Sequence, residues 1–99
     1  MNKEKFSVYE KANTDKYGKA VVDCARLVMK YLDEYRKPLP SDFSNESAYG
    51  LMLKADKEIQ YGLSGMQCSM IVTMVEECHP RGEEFSRTYS KARRNRKGI

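Results

Sequence analysis

The chain has 99 residues, 40% of them apolar and 32% charged, with a net charge of +4; that length fits one small domain and leaves no room for a second. A domain this short buries only about 60 to 68% of the surface its unfolded chain exposes, so association with a second copy is an expected way to cover apolar faces. The charge is uneven: from Arg87 onward there are six bases and no acid, whereas the preceding residues carry twelve bases against fourteen acids. An acidic body with one basic end points to a localised contact rather than to a general affinity for polyanions.

No apolar run approaches the ~20 residues needed to span a bilayer. The opening "MNKEKFSVYEKAN" has bases but no apolar block behind them, so a secretory leader is not expected and the protein is expected to work in the cytoplasm. Cys24, Cys68 and Cys78 are odd in number and lack C-x-x-C spacing, which predicts reduced, mostly buried thiols rather than a disulfide framework.

Residues 1–12, rich in Lys and Glu with Phe6 and Tyr9 between them, read as a short helix or a loose arm. Tyr17, Ala20, Val21, Cys24, Leu27, Val28, Tyr31, Leu32 and Tyr35 then recur at intervals of three and four, predicting an amphipathic helix over 14–36. Its tyrosines are placed to bury their rings and keep their hydroxyls near water or a polar partner. "KPLPSDFSN" ends it, because Pro38 and Pro40 each disfavour helical geometry at the residue before them.

A second helix is expected over 45–61, starting after Ser44 or Asn45, with Ala48, Leu51, Met52, Ala55 and Ile59 on one face and Gly62 as a left-handed terminator. In "GLSGMQCSMIVTMVEEC", Ser64 and Gln67 have the spacing of a capping box, and the apolar residues after them spread over more than one face, so 65–79 is predicted to be the central helix. The β-branched run "MIVTMV" also suits a strand, but no second strong strand candidate exists to pair with it. Met66, Met70 and Met74 form a stripe that suits a core and also a dimer seam. After Pro80 and Gly82, "GEEFSRTYSKARRNRK" predicts a fourth helix over 82–97 with Phe85, Tyr89 and Ala92 inward. The fold class is therefore all-α, a small bundle of about four helices.

"YGKAVVDCARLVMKYLDEY", "ADKEIQYGLSGMQCSMIVTMVEECHPRGEEF" and "SRTY" resemble a group of short bacteriophage and prophage proteins of unassigned role. In that group a tyrosine-glycine start to a long helix is followed by "[ST]G", an apolar helix and a "W-x-HGE-x-[LF]-R-x-W-H" type ending. Ser64 and Gly65 match the small pair, Gly82 and Glu83 match the "GE", and Phe85 and Arg87 fit the "[LF]" and "R" after it; His79 stands in place of tryptophan, Arg81 in place of histidine, and Thr88 and Tyr89 in place of the final pair. The resemblance, spanning about 17–89, implies a phage-encoded, small helical protein in a bacterial host cell. It brings no catalytic residue with it.

The residues themselves suggest no enzyme, no metal and no cofactor. Cys78 and His79 are adjacent, so on a helix they diverge by about 100°; neither a Cys-His nucleophile nor a zinc site is expected from such a pair. Glu83 and Glu84 diverge in the same way, and "GLSG" lacks the lysine and preceding strand of a phosphate loop. His79, at a helix end just before proline, is expected to bond free carbonyls there, with an interface or anion contact shared with Arg81 as the alternative.

The acid-then-base order of the fourth helix suits its backbone dipole, but two or three bases would satisfy that. The predicted contact surface is Arg81, Arg87, Tyr89, Lys91, Arg93, Arg94, Arg96 and Lys97, against a solvated tail as the plain alternative. Such a surface suits three functions: stoichiometric binding of a host protein or nucleoprotein complex, in the manner of an inhibitor of a host defence system; nucleic-acid binding through the basic end; and sequestration of a small anionic nucleotide in an oligomer.

Overall fold

A computed structural model of the chain describes residues 18–97, with side chains as far as Arg94. Its elements are four helices: α1 (Lys19–Glu34), α2 (Ala48–Ile59), α3 (Gly65–Cys78) and α4 (Gly82–Lys97). The architecture is the expected all-α bundle, and "MIVTMV" is helical. The arm at 1–12 and the expected first turn at 14–17 lie outside the described residues.

The helices pack in a closed circuit in which α1 lies against α2 and α3, and α4 lies against α3 and α2. The three- and four-residue spacing read from the sequence fills the centre: Val21, Cys24, Ala25 and Val28 of α1, Ala55 of α2, Ile71, Met74 and Val75 of α3 and Phe85 of α4 are all fully buried. Tyr31 buries its ring against α2 and donates its hydroxyl to Glu58 at 2.5 Å. Burial and that carboxylate push the phenol up to about 12. The methionine stripe does not stay inside: Met74 is buried, Met70 is intermediate and Met66 is 69% exposed, because the first turn of α3 runs beyond the core of the other helices.

Local chemistry sets the helix ends. Ser64 and Gln67 form the expected capping box, each side chain bonding the other's backbone amide. The start of α2 is later than read from the sequence: Ser47, fully buried, is the cap, accepting from Gly50 N at 3.0 Å while donating to the Ser44 carbonyl at 2.7 Å. Gly50 permits this close return, since a Cβ there would lie 2.2 Å from the Ser44 carbonyl oxygen. At the other end Gln60, not Gly62, takes the left-handed cap position, with φ of 59°. The Asp56 carboxylate accepts the amides of Gly62 and Leu63 at 2.8 and 3.1 Å, and folds the connection back early.

α3 and α4 are joined by only His79, Pro80 and Arg81. The two helices can approach this closely because Gly82 has no side chain: a Cβ there would lie 2.1 Å from the Val75 carbonyl oxygen. Among the described residues no helix is long and apolar enough to cross a membrane.

Candidate binding surface

The residues singled out in the sequence fall into three places. Arg81 and His79 sit in the α3–α4 turn, and both are engaged within the fold. The Arg81 guanidinium donates to both Glu84 carboxylate oxygens, at 3.0 and 3.1 Å, to the Lys37 carbonyl at 2.7 Å, and to the Tyr35 carbonyl. Glu84 in turn accepts the Leu39 amide at 2.8 Å. This pair clamps the extended, proline-bearing stretch after α1 onto the start of α4, where Leu39 is buried. Bidentate pairing of this kind uses the planar fork of arginine fully.

His79 also ties elements together, though not by capping carbonyls of its own helix. Its Nδ1 accepts the Arg81 amide at 3.0 Å, so the proton sits on Nε2, which donates to Asp33 at 2.7 Å. The ring is 3% exposed, and the bond fixes the last turn of α1 to the α3–α4 turn. With both ring nitrogens so engaged and the Cys78 thiol buried, the two neighbours do not form a nucleophile and its base.

The clamp has a pH signature. Hydrogen bonds from Arg81 above all, with help from the Leu39 amide and against the cost of burial, hold the Glu84 carboxyl below its ordinary value of 4.5. A depressed carboxyl contributes stability that is present above the unfolded value and is lost as pH falls through the folded one. Urea titrations are therefore expected to show wild-type stability dropping on acidification below 4.5, and Glu84→Gln to drop less steeply over that window. Equal slopes for the two proteins would show that the clamp carboxylate carries none of the acid sensitivity.

The second place is the outer face of α4. Arg87, Lys91 and Arg94 are exposed and succeed one another at four and three residues, which puts them within about 60° of each other and spreads them over about 10 Å of axis. The fold makes little use of them: Arg87 reaches Glu83 only at 4.0 Å, with both side chains largely in water, a pairing that contributes about 0 to 1 kcal/mol. Arg96 and Lys97 continue the same helix, their side chains outside the described residues.

Tyr89 and Arg93 make the third place, facing α2 and α3. Tyr89 is buried, its ring nearly parallel to Phe85 at 6.1 Å and to Tyr49 at 5.9 Å, and Phe43 meets Tyr49 edge-on at 4.8 Å. The Arg93 guanidinium lies 5.9 Å from the Tyr89 ring centre. These groups, with Leu63, Gly65 and Cys68, line a slot of about 530 Å³. Cys68 hydrogen-bonds Tyr89, and burial, first of all, pushes both its thiol and the Tyr89 phenol upward, so both stay neutral. Sequence reading found Tyr89 and Arg93 but not the slot, because Phe43, Tyr49 and Cys68 come from three other segments; the one local signal was an aromatic, Phe43, among turn residues.

A second groove of about 570 Å³ runs along α2 between Tyr31, Tyr35 and Leu53, and it carries both Glu34 and Glu46 and Lys54 and Lys57. Its mixed charge selects no sign of ligand. Among the described residues, no three His, Cys, Asp or Glu side chains are grouped as metal ligands, and all three cysteines are free. No protein-family model, no curated protein and no solved structure matches the chain.

Proposed function

We propose that this is a non-enzymatic, phage-type accessory protein that acts by stoichiometric binding, with the outer face of α4 as its contact surface and an acidic site on a host protein or nucleoprotein complex, such as a defence complex, as its partner. One observation carries this reading: Arg87, Lys91 and Arg94 form an exposed basic stripe that the bundle itself does not need. Arg81, by contrast, is held by the fold and is not part of the contact. The phage origin rests on the sequence resemblance, and the host target comes from that origin. An isolated stripe of three bases also suits a matching acidic protein surface better than a nucleic acid, where affinity is built from many phosphate contacts.

The test is charge reversal. Wild-type protein used as bait in host lysate is expected to retain a specific partner that the Arg87→Glu, Lys91→Glu, Arg94→Glu triple variant loses, with the purified pair binding at fixed stoichiometry and at least about tenfold more weakly in the triple variant. Identical capture by the two baits would sink the stripe as the contact. Binding to duplex DNA or RNA whose affinity falls with salt at about 0.9 log units per log unit for each phosphate contact would replace the protein partner with a nucleic acid. Phage plating on defence-proficient hosts that is unchanged by expression of the protein would remove the counter-defence role.

A further inference from the structure

We propose that the slot beside Tyr89 and Arg93 is a ligand site for a free mononucleotide, its flat base against the aromatic wall and its phosphate on Arg93. This goes beyond the contact surface of α4, which lies on another face: Arg93 is about 240° around the helix from Arg87.

The size, the wall and the charge of the slot agree. A volume of about 530 Å³ falls within the range of about 300 to 1,000 Å³ usual for small-molecule sites. Phe43, Tyr49 and Tyr89 give a wall of linked rings, and aromatic faces hold any base by stacking, at about 1 to 3 kcal/mol each. Arg93 is the only ionised side chain among the lining residues, and its guanidinium can bind a phosphate through two parallel hydrogen bonds.

The nearest acid is already engaged: Asp56, whose field reaches Cys68, has its two oxygens on the amides of Gly62 and Leu63. With the Cys68 thiol and the Tyr89 phenol neutral, no anion in the lining opposes an incoming phosphate. Gly65 leaves part of the wall open, since a Cβ there meets nothing within 4 Å.

Calorimetry of the whole protein with each of the common nucleoside 5′-monophosphates, the matching nucleosides and inorganic phosphate is the direct test. At least one monophosphate is expected to bind, and its nucleoside and phosphate alone to bind at least about tenfold more weakly, because each keeps only one of the two anchors. Arg93→Gln is expected to weaken the monophosphate about tenfold or more. Gly65→Trp, which fills the slot and leaves every base in place, is expected to abolish binding, and Phe43→Ala, at an exposed loop position, to weaken it. Lys91→Gln with Arg94→Gln is expected to leave it unchanged.

A second readout is alkylation. Cys68 is the half-exposed cysteine, while Cys24 and Cys78 are buried, so bound nucleotide is expected to slow iodoacetamide labelling at Cys68 alone. No heat from any monophosphate at millimolar concentration overturns the proposal, as does full binding by Gly65→Trp and Arg93→Gln, or binding seen only with single-stranded oligonucleotides. Since the charge-reversed stripe keeps Arg93 and Gly65, failure of the slot and failure of the stripe give different results.

Discussion

Phe85→Ala is expected to lower the free energy of unfolding by about 3 to 5 kcal/mol, the range for emptying a large aromatic site in a packed interior. Phe85 has no exposed surface, and it stands on α4 where the core of α3 closes over it. Few sites are available to offset the loss, because a domain this small has only about 5 to 15 kcal/mol of net stability in all. Much of the variant is thus expected to be unfolded at temperatures where the wild type is not. Urea denaturation followed by circular dichroism measures this directly, with Met66→Ala as the internal control: at 69% exposure that change is expected to stay within about 0.5 kcal/mol of wild type. A loss below about 1 kcal/mol for Phe85→Ala would mean that the site collapses or is loosely packed. Binding would suffer with folding, since Tyr89 is stacked on Phe85 and forms one wall of the slot.

Gly82→Ala is expected to cost about 2 to 3 kcal/mol or more, toward the upper end of overpacking effects. The added carbon would fall 2.1 Å from the Val75 carbonyl oxygen and 2.6 Å from the Glu76 Cα. Both are backbone atoms of α3, so no side-chain rotation relieves the clash and the two helices must separate. Separation moves the three-residue turn, and with it the Arg81 fork and its hold on the stretch after α1. A lowered melting temperature together with greater acid tolerance of what stability remains is the expected combination, since the Glu84 carboxylate would lose its partner. Gly65→Ala is the matched control: its Cβ meets nothing, and replacing glycine there is expected to be neutral or to stabilise by about 0.4 to 1 kcal/mol. Equal melting temperatures for Gly82→Ala and wild type would contradict the close helix approach.

The helix inventory is readable because its signals are local. Apolar spacing, the prolines at 38, 40 and 80, and the Ser64–Gln67 box each act within a few residues, and α4 runs over the range its sequence indicates. Expectation and structure part where several local choices are close in energy. "SNES" offers three good capping residues, and Ser47 takes the position because its hydroxyl is buried between Ser44 and Gly50. Gln60 takes the left-handed position ahead of Gly62 because Asp56 draws the next amides back onto the helix. The methionine stripe is a sound pattern in one helix, and only the length of the neighbouring helices leaves Met66 in solvent.

The candidate site divides on the same principle. The number and order of the helices, the basic excess after Arg87 and the periodicity that puts Arg87, Lys91 and Arg94 on one face are all written in the order of the residues, because each depends on contacts and angles within a single helix. Which charges and rings the fold uses for itself is a matter of packing between helices, and no local pattern reveals it. Arg81 looks as available as Arg87 in the sequence, yet its fork bonds the carbonyls of Tyr35 and Lys37, 46 and 44 residues away in the chain. Tyr89 and Arg93 gain a slot from Phe43, Tyr49 and Cys68, residues that nothing in the sequence joins to them. Partners so distant in the chain meet only when burial of the four apolar faces fixes how the helices pack.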